Sequence, residues 1–490
     1  MMRTVYCMAK HDMPNENFTT IMDLQRRNGV PELQNSNNHI YKHHSKVTEM
    51  QDAIAEMIRE KQKDDIKQSP YIGVIVDETV NINVDKKLII YLRIINDRKP
   101  KSVFLTNITV PNTIKDVLQN YEIDVKKVVG LGSDGASVMT GRENGVGKKL
   151  KDLNSYLIHI HCCAHRVALA SNDASKQSNK ITDYKKNINS IYRYFEHSAN
   201  RHSRLKTLNQ ILNNDDVLSL KLTCSTRWLS LHKAVKGIYT NWPAICMVLE
   251  EDAVTNATAD GLCRLVNSYT FIAITCLLMD ILPILDRLSL IFQKENVIIS
   301  TIKPVVSSSI EEFENLKDNL GPHEKQFSDE LDASGSYKNR VPTSIQKPAF
   351  NVERIRFINH LISSLTLRFP NEDLSVLNSL DILLNPIHYP TDISIRQYGN
   401  AQLEVICEHF SEILNIVELK AEFSQMKTVI RASGADNLLS ACNLLLSDMK
   451  ELFPQFAKLA AIVLVIPITS VPAERGFSCQ NRIKSKLRSR

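Results

Sequence analysis

A chain of 490 residues has room for two or more domains with separate cores. Its composition, 43% apolar and 23% charged, excludes wholesale disorder and fibrous repeats. The net charge is only +6, weak support in itself for a polyanionic partner, and 15 glycines with 6% aromatics favour helices over a sandwich or barrel.

Residues 1–70 are polar, with Asn and His runs (NSNNHIYKHH) and one predicted helix from Val47 to Gln62; they read as a tether or the remnant of a larger N-terminal region. No apolar h-region follows the first Met, so secretion is not expected. From Tyr71 the pattern changes. YIGVIVD reads as a short buried strand ending at Asp77, KKLIIYLRIIN as a second and KSVFLTNIT as a third. A helix over 113–120, the strand VVGLGSD ending at Asp134, a helix over 145–153, the strand YLIHIHC and a helix from about Ala164 complete a β-β-β-α-β-α-β-α order. Three consecutive strands predict a meander and the later β-α-β steps predict parallel additions, which together make a mixed α/β sheet of five strands with helices on its faces.

Beyond Lys180 the periodicity is helical: 182–198, 203–213, 229–250, 262–294, 353–368, 401–417 and 436–450. Within 262–294 the apolar run Phe271–Leu285 is broken by Asp280 and Pro283, short of the roughly 20 residues a membrane span needs, and so predicts a buried helix. The stretch 311–348 is polar and Ser/Gly/Pro-containing and reads as a mobile connection. After Pro454 an apolar helix leads through Pro467 to SVPAERGFS and a basic end. The apolar excess of LAAIVLVIP makes 401–465 with the final helix the expected dimer surface, the alternative being a helix at the centre of the core.

Two glycine motifs are weak. Gly130 to Gly135 spells GxGxxG, but it follows the fourth strand and Asp134 would face a pyrophosphate. Gly141 to Lys149 misses the Walker A spacing by one residue and lacks the Ser/Thr that holds magnesium. Asp77 and Asp134 end two predicted buried strands. Carboxylates there either cap turns or make a hard-oxygen site for Mg²⁺ or Mn²⁺ of the kind that cleaves phosphodiesters, and spacing leaves both open. HIHCCAH holds His159, His161, Cys162, Cys163 and His165, but no second ligand pair stands at zinc spacing, so no structural zinc is expected. Ten cysteines without a framework point to reduced thiols inside a cell. Basic residues cluster at Arg193, Arg201, Arg204 and Lys206, and again at Arg482, Lys484, Lys486, Arg488 and Arg490, as DNA-facing flanks or solvated helix faces.

VDET (76–79), GLGSDGASVMTG (130–141), HCCAHRVALA (161–170), STRW (225–228) and SVPAERGFS (470–478), in this order, resemble the hAT superfamily of cut-and-paste DNA transposases, closest to its cellular, transposase-derived branch. The resemblance implies an RNase H-like core (first part 71–215) interrupted by an all-helical insertion (216–452), then core helices and a hAT dimerisation region (453–490). It assigns the catalytic and metal-holding acids to Asp77, Asp134 and Glu474. It places Cys162 and His165 near that site, steering DNA, and Arg227 and Trp228 where the indole could stack on an unpaired base, the alternative for Trp228 being a core residue. Implied partners are DNA and a second copy of the chain, in the nucleus, with no membrane and no small-molecule substrate. No BED finger spacing precedes Tyr71 and the dimerisation region stops early, so the expectation is a fragment, a decayed copy or a host-recruited gene. Two readings follow: a metal-dependent strand-transferring nuclease, or a catalytically silent module that keeps the fold for dimerisation and for DNA or protein contacts in transcription or chromatin control.

Overall fold

A computed structural model describes residues 1–34, 44–80, 86–109, 114–213, 219–222, 228–294, 297–370 and 374–483. The chain opens with α1 (Met2–Lys10), α2 (Asn17–Arg27), α3 (Pro31–Gln34) and α4 (His44–Gln68). Strands β1 (Ile72–Val80), β2 (Lys86–Asn96) and β3 (Lys99–Thr109) follow, then α5 (Ile114–Asn120), β4 (Val128–Ser133), α6 (Ser137–Thr140), α7 (Val146–Leu153) and β5 (Ile158–His161). The helices α8 (Cys163–Lys176), α9 (Asn179–Glu196), α10 (Ala199–Asn213), α11 (Trp228–Ala253), α12 (Ala257–Val266) and α13 (Tyr269–Phe292) come next. They are succeeded by α14 (Ile302–Asp318), α15 (Pro322–Ser334), α16 (Lys347–Arg368), α17 (Ser375–Leu384), α18 (Asn400–His409), α19 (Ile416–Ala432) and α20 (Leu438–Leu446). The last two are α21 (Pro454–Val465) and α22 (Val471–Ile483).

The five strands form one sheet in the order β3-β2-β1-β4-β5, with β1–β2 and β2–β3 antiparallel and β1–β4 parallel. The mixed sheet read from the alternation is therefore the observed one. Two compact units divide the chain: Met1–Gly132, Arg142–His159 and Cys442–Arg490 make the first, Ser133–Gly141 and Ile160–Ala441 the second. Helices α8 to α10, grouped with the core on sequence, thus fall in the helical unit, because they bury their apolar stripes on other helices.

In the first unit α21 lies on β1, β2 and β3. Its residues from Leu459 to Val465 are all buried, with Val463 at 1% exposure. Arg93 of β2, itself buried, donates from Nε to the Leu464 carbonyl at 3.0 Å. The apolar excess of α21 is thus covered by the chain's own sheet, the alternative read for this helix. The N-terminal region departs from the tether expected of it. Val5, Met8, Phe18, Met22, Leu33 and Val47 make a buried cluster, so α1, α2 and α4 hold one another. Apolar residues there are sparse in the sequence, and although Tyr6, Leu24 and Met57 stay exposed, enough of them share one face to close a core.

In the second unit α13 is the axis. It is buried from Phe271 to Leu282, and its N-terminus is capped by Ser268, whose Oγ accepts from Phe271 N at 3.3 Å. That cap breaks the single helix expected over 262–294. The polar stretch expected to be a mobile connection is instead helical over 311–318 and 322–334. Phe313 of α14 and Phe327 and Leu331 of α15 are buried. Arg354 of α16 is only 3% exposed and pairs with Glu324 of α15 at 2.8 Å, while donating to the Lys317 and Asn319 carbonyls at the end of α14 at 3.1 and 3.0 Å. A buried guanidinium with this many acceptors ties three helices together. Among the described residues from 163 to 452 there is no strand, only the isolated bridges Ser268–Thr343 and Tyr337–Arg340. No described helix is long and apolar enough to cross a membrane.

Candidate functional site

Strand alternation puts Gly73, Ile75 and Asp77 on one face of β1. Asp77 stands directly opposite Ile89 of β2 in the antiparallel register. That face is covered by the C-terminal segment of the same unit. A Cβ on Gly73 would fall 1.9 Å from the Val465 carbonyl oxygen, and one on Gly130 of β4 would fall 2.7 Å from Pro467 Cδ. Gly130 and Gly132 are thus bare because the chain at Pro467 runs against the sheet, a packing role and not a phosphate cradle.

Beyond Pro467, α22 continues over the same surface. Ala473 and Phe477 join Ile75 and Ile89 in one buried cluster, and a Cβ on Gly476 would be 2.5 Å from Ile89 Cδ1. Gln480 accepts from Asn107 Nδ2 at 2.7 Å. Positions 473, 476, 477 and 480 are the i, i+3, i+4, i+7 stripe that seats the helix. Glu474 adjoins that stripe, half-buried, in the first turn, where the helix dipole favours an acid. The helix carrying Glu474 therefore covers the face of β1 that bears Asp77.

Asp77 is half-buried and its Oδ1 accepts from Glu78 N at 3.1 Å. In the parallel register Ile75 pairs with Gly132. Asp77 is two residues past the first and Asp134 two past the second. Asp134 belongs to the second unit, where its Oδ1 accepts from Ala136 N at 3.2 Å and turns the chain into α6. Among the described residues no group of three or more His, Cys, Asp and Glu is gathered closely enough to share an ion.

The HIHCCAH residues serve packing. Cys162 caps α8 with no exposed surface, and its backbone N–H donates to the Ser133 carbonyl at 2.8 Å. A thiol so placed has no surface with which to touch DNA, as was expected of it. Burial pushes the Cys163 thiol far up, which is the state of an inert core cysteine. His165 is partly exposed, its ring 5.4 Å from that of His161.

The basic cluster also differs from expectation. Arg204 of α10 donates from Nη1 to Asp252 Oδ1 at 2.7 Å and pairs through Nη2 with Glu251, both on α11. Arg201 Nε lies 3.3 Å from Asp252 Oδ2, with its guanidinium 4.0 Å from the Tyr194 ring centroid. The Tyr194 hydroxyl donates to Asp252 Oδ2 at 2.6 Å. Burial alone would raise the Asp252 carboxyl, but the hydrogen bonds from Arg204 and Tyr194, with the two cationic charges, hold it below the usual carboxylate range. These arginines are neutralised within the fold, joining α9, α10 and α11, whereas Lys206 is exposed. Arg227 and Lys484 to Arg490 lie outside the described residues. So do the side chains of Trp228, which begins α11, and Arg482.

Sequence reasoning missed Asp252 and Glu251, because acids forty-odd residues from a basic cluster carry no local signal. The comparisons agree with the geometry. Residues 22–145 match the RNase-like domain described as ZMYM1/FAM200, which includes α4 and the first four strands. Residues 425–490 match the hAT family C-terminal dimerisation region, which includes α21 and α22. An RNase-like domain match toward one end of the sequence and a hAT dimerisation-region match at the other are together consistent with a hAT transposase-derived protein.

Proposed function

We propose that this protein, a transposase derivative with the hAT dimerisation region, acts as a self-associating DNA-binding protein of the nucleus. In this reading Asp77, Asp134 and Glu474 are the acids that hold Mg²⁺ or Mn²⁺. The observation that carries it is the seating of α22: the helix bearing Glu474 lies on the Asp77 face of β1 through Ala473, Gly476 and Phe477. Carboxylate oxygens are the donors these hard cations prefer. When bound, such ions would supply an activated water and stabilise the leaving oxygen of a phosphodiester. The chain's part is to hold Asp77 on a rigid strand and Glu474 on a helix fixed by four sheet-facing positions.

A second reading, a binding module without cleavage, is favoured by two observations. No three metal-ligating side chains are gathered among the described residues, and Arg201 and Arg204 are neutralised by Asp252 and Glu251. One experiment separates the two. The full chain is incubated with a nicked DNA duplex and Mn²⁺ beside Asp77→Asn and Glu474→Gln, and both DNA retention and strand scission are read. Scission by the parent chain that both variants lose supports the metal-dependent reading. Retention without scission supports the module, and no retention at any salt concentration refutes DNA binding.

A further inference from the structure

The second unit holds a cavity of about 170 Å³ between α13, α15 and α16. Tyr269 and Ala273 line it from α13 at i, i+4 spacing, and Phe350 and Arg354 do so from α16 at the same spacing. Glu324, Phe327 and Leu331 line it from α15 at i, i+3, i+7, so each helix turns one face to it. Tyr269 packs on Phe327 and Phe350, with ring centroids 5.4 and 6.0 Å away. Leu320 and Asn351, both exposed, stand at the rim. Tyr269 is only 7% exposed, and a buried tyrosine ordinarily gives its O–H to a partner. Here the hydroxyl bonds to no described residue, yet it is not one of the unpaired polar atoms shut off from solvent. It therefore faces the space that Tyr269 lines. An unmet hydroxyl in an apolar recess carries a desolvation cost that an entering group can offset.

The lining narrows what that group is. An apolar cavity of about 150 Å³ takes benzene, so this one has room for a single ring with a small substituent. Aromatic walls favour an aromatic guest, because ring pairs gain from edge and offset contacts beyond the area they bury. The charges on the lining are already matched: Glu324 pairs with Arg354 at 2.8 Å, and Lys347 pairs with Asp332. A charged guest would be desolvated without a free counter-charge, so a neutral one is preferred. Among the described side chains only Arg354 Nε donates to the two Glu324 oxygens, at 2.8 and 3.1 Å, which leaves that carboxylate with lone pairs to spare. Burial first, then the charge of Glu324, pushes the Tyr269 hydroxyl up to about 12, so the carboxylate acts on the same end of the cavity. A phenol meets every condition, since its O–H can donate to a carboxylate while its oxygen accepts from Tyr269. An aliphatic alcohol lacks the ring and benzene lacks the hydroxyl. We propose that this cavity binds a neutral phenol, its ring against Phe327 and Phe350 and its hydroxyl paired with Tyr269. None of Asp77, Asp134 or Glu474 lines the cavity, so the site stands apart from the metal-dependent reading.

The phenol has two sources, a free small molecule or a tyrosine side chain presented at the rim. Calorimetric titration of the full chain with p-cresol, toluene and N-acetyltyrosinamide distinguishes them. p-Cresol is expected to bind more tightly than toluene by roughly 3- to 10-fold, the net worth of one hydrogen bond. Tyr269→Phe, which keeps the ring, should bring p-cresol down to the level of toluene and leave toluene unchanged. p-Toluate, the same ring with a negative group, should bind less tightly than p-cresol. If N-acetyltyrosinamide binds with the same dependence on Tyr269, the source is a presented side chain; if p-cresol binds without it, the source is a free molecule, and the site stands in both cases. Should Tyr269→Phe lose the native circular dichroism, Leu320→Trp, at the exposed rim, takes its place and must weaken p-cresol and toluene alike. The proposal is overturned if neither phenol gives heat at millimolar concentration, if p-cresol and toluene bind equally, if Tyr269→Phe leaves their difference intact, or if p-toluate binds the most tightly.

Discussion

Asp252→Ala strikes one point at which three helices of the second unit meet. The substitution takes acceptors from Arg204, Arg201 and the Tyr194 hydroxyl together. The Asp252 side chain is 16% exposed, and those of Arg201 and Arg204 are 28% and 30% exposed. An exposed pair contributes about 0.2–1 kcal/mol, whereas removing one partner of a buried pair costs about 3–5 kcal/mol. The network lies between these limits, so Asp252→Ala is expected to cost about 2 kcal/mol. The Asp252–Arg204 coupling should be about 1–2 kcal/mol in a double-mutant cycle with Arg204→Ala. Urea unfolding of the four proteins measures it. The carboxyl is held below its ordinary value, so its stabilising contribution is fully present above about pH 3.9 and is lost as pH falls through the lower folded value. The coupling should therefore disappear in strong acid. The same network bears on DNA: replacing Arg204 and Asp252 together by Gln and Asn, which keeps the local charge balanced, should leave the salt slope of DNA binding unchanged, because that arginine's charge is already matched within the fold. A coupling within about 0.3 kcal/mol of zero, together with a slope flattened by that paired substitution, would refute this assignment and return Arg204 to the DNA surface.

Three further outcomes are expected. Gly73→Ala drives a methyl to within 1.9 Å of the Val465 carbonyl oxygen and should cost about 3 kcal/mol or more; an unchanged thermal midpoint would show that the 465–467 segment does not lie on β1. Val463→Glu should unfold the first unit, and a folded monomer by circular dichroism and light scattering would instead make α21 a partner surface. Lys185, whose Nζ donates to Ser175 Oγ at 3.1 Å, is brought down by burial from 10.5 to about 8. Between those values the unfolded chain binds more protons than the folded one, so stability should rise with pH from about 8 to 10.5. Lys185→Met should remove that rise, and equal pH profiles for the two proteins would count against the buried ammonium.

Much of the fold was legible in the sequence because it is written in local periodicity. Alternation and short apolar runs marked all five strands to within a few residues, and the 3.6-residue pattern marked most of the helices. The polar chain over 311–348 was misread for an equally physical reason. Phe313, Phe327 and Leu331 are too few to make a conspicuous stripe, and the helices that carry them are tied together by Arg354, which reaches Glu324 and the end of α14 from another part of the chain. For the candidate site, the sequence supplied the identities Asp77, Asp134 and Glu474 through motif resemblance, while spacing had nothing to say of an acid so far downstream. Tertiary structure alone decided that Gly73, Gly130 and Gly476 are clearances for a crossing backbone and helix, and that α22 covers the Asp77 face. It alone decided that the apolar α21 is covered by the sheet and that Asp252 silences Arg201 and Arg204. These are long-range pairings, and they depend on which surfaces meet after the chain has returned on itself. Hydrophobic period sets what each segment must bury, but the partner that buries it, or neutralises its charge, is chosen only when distant elements are brought together.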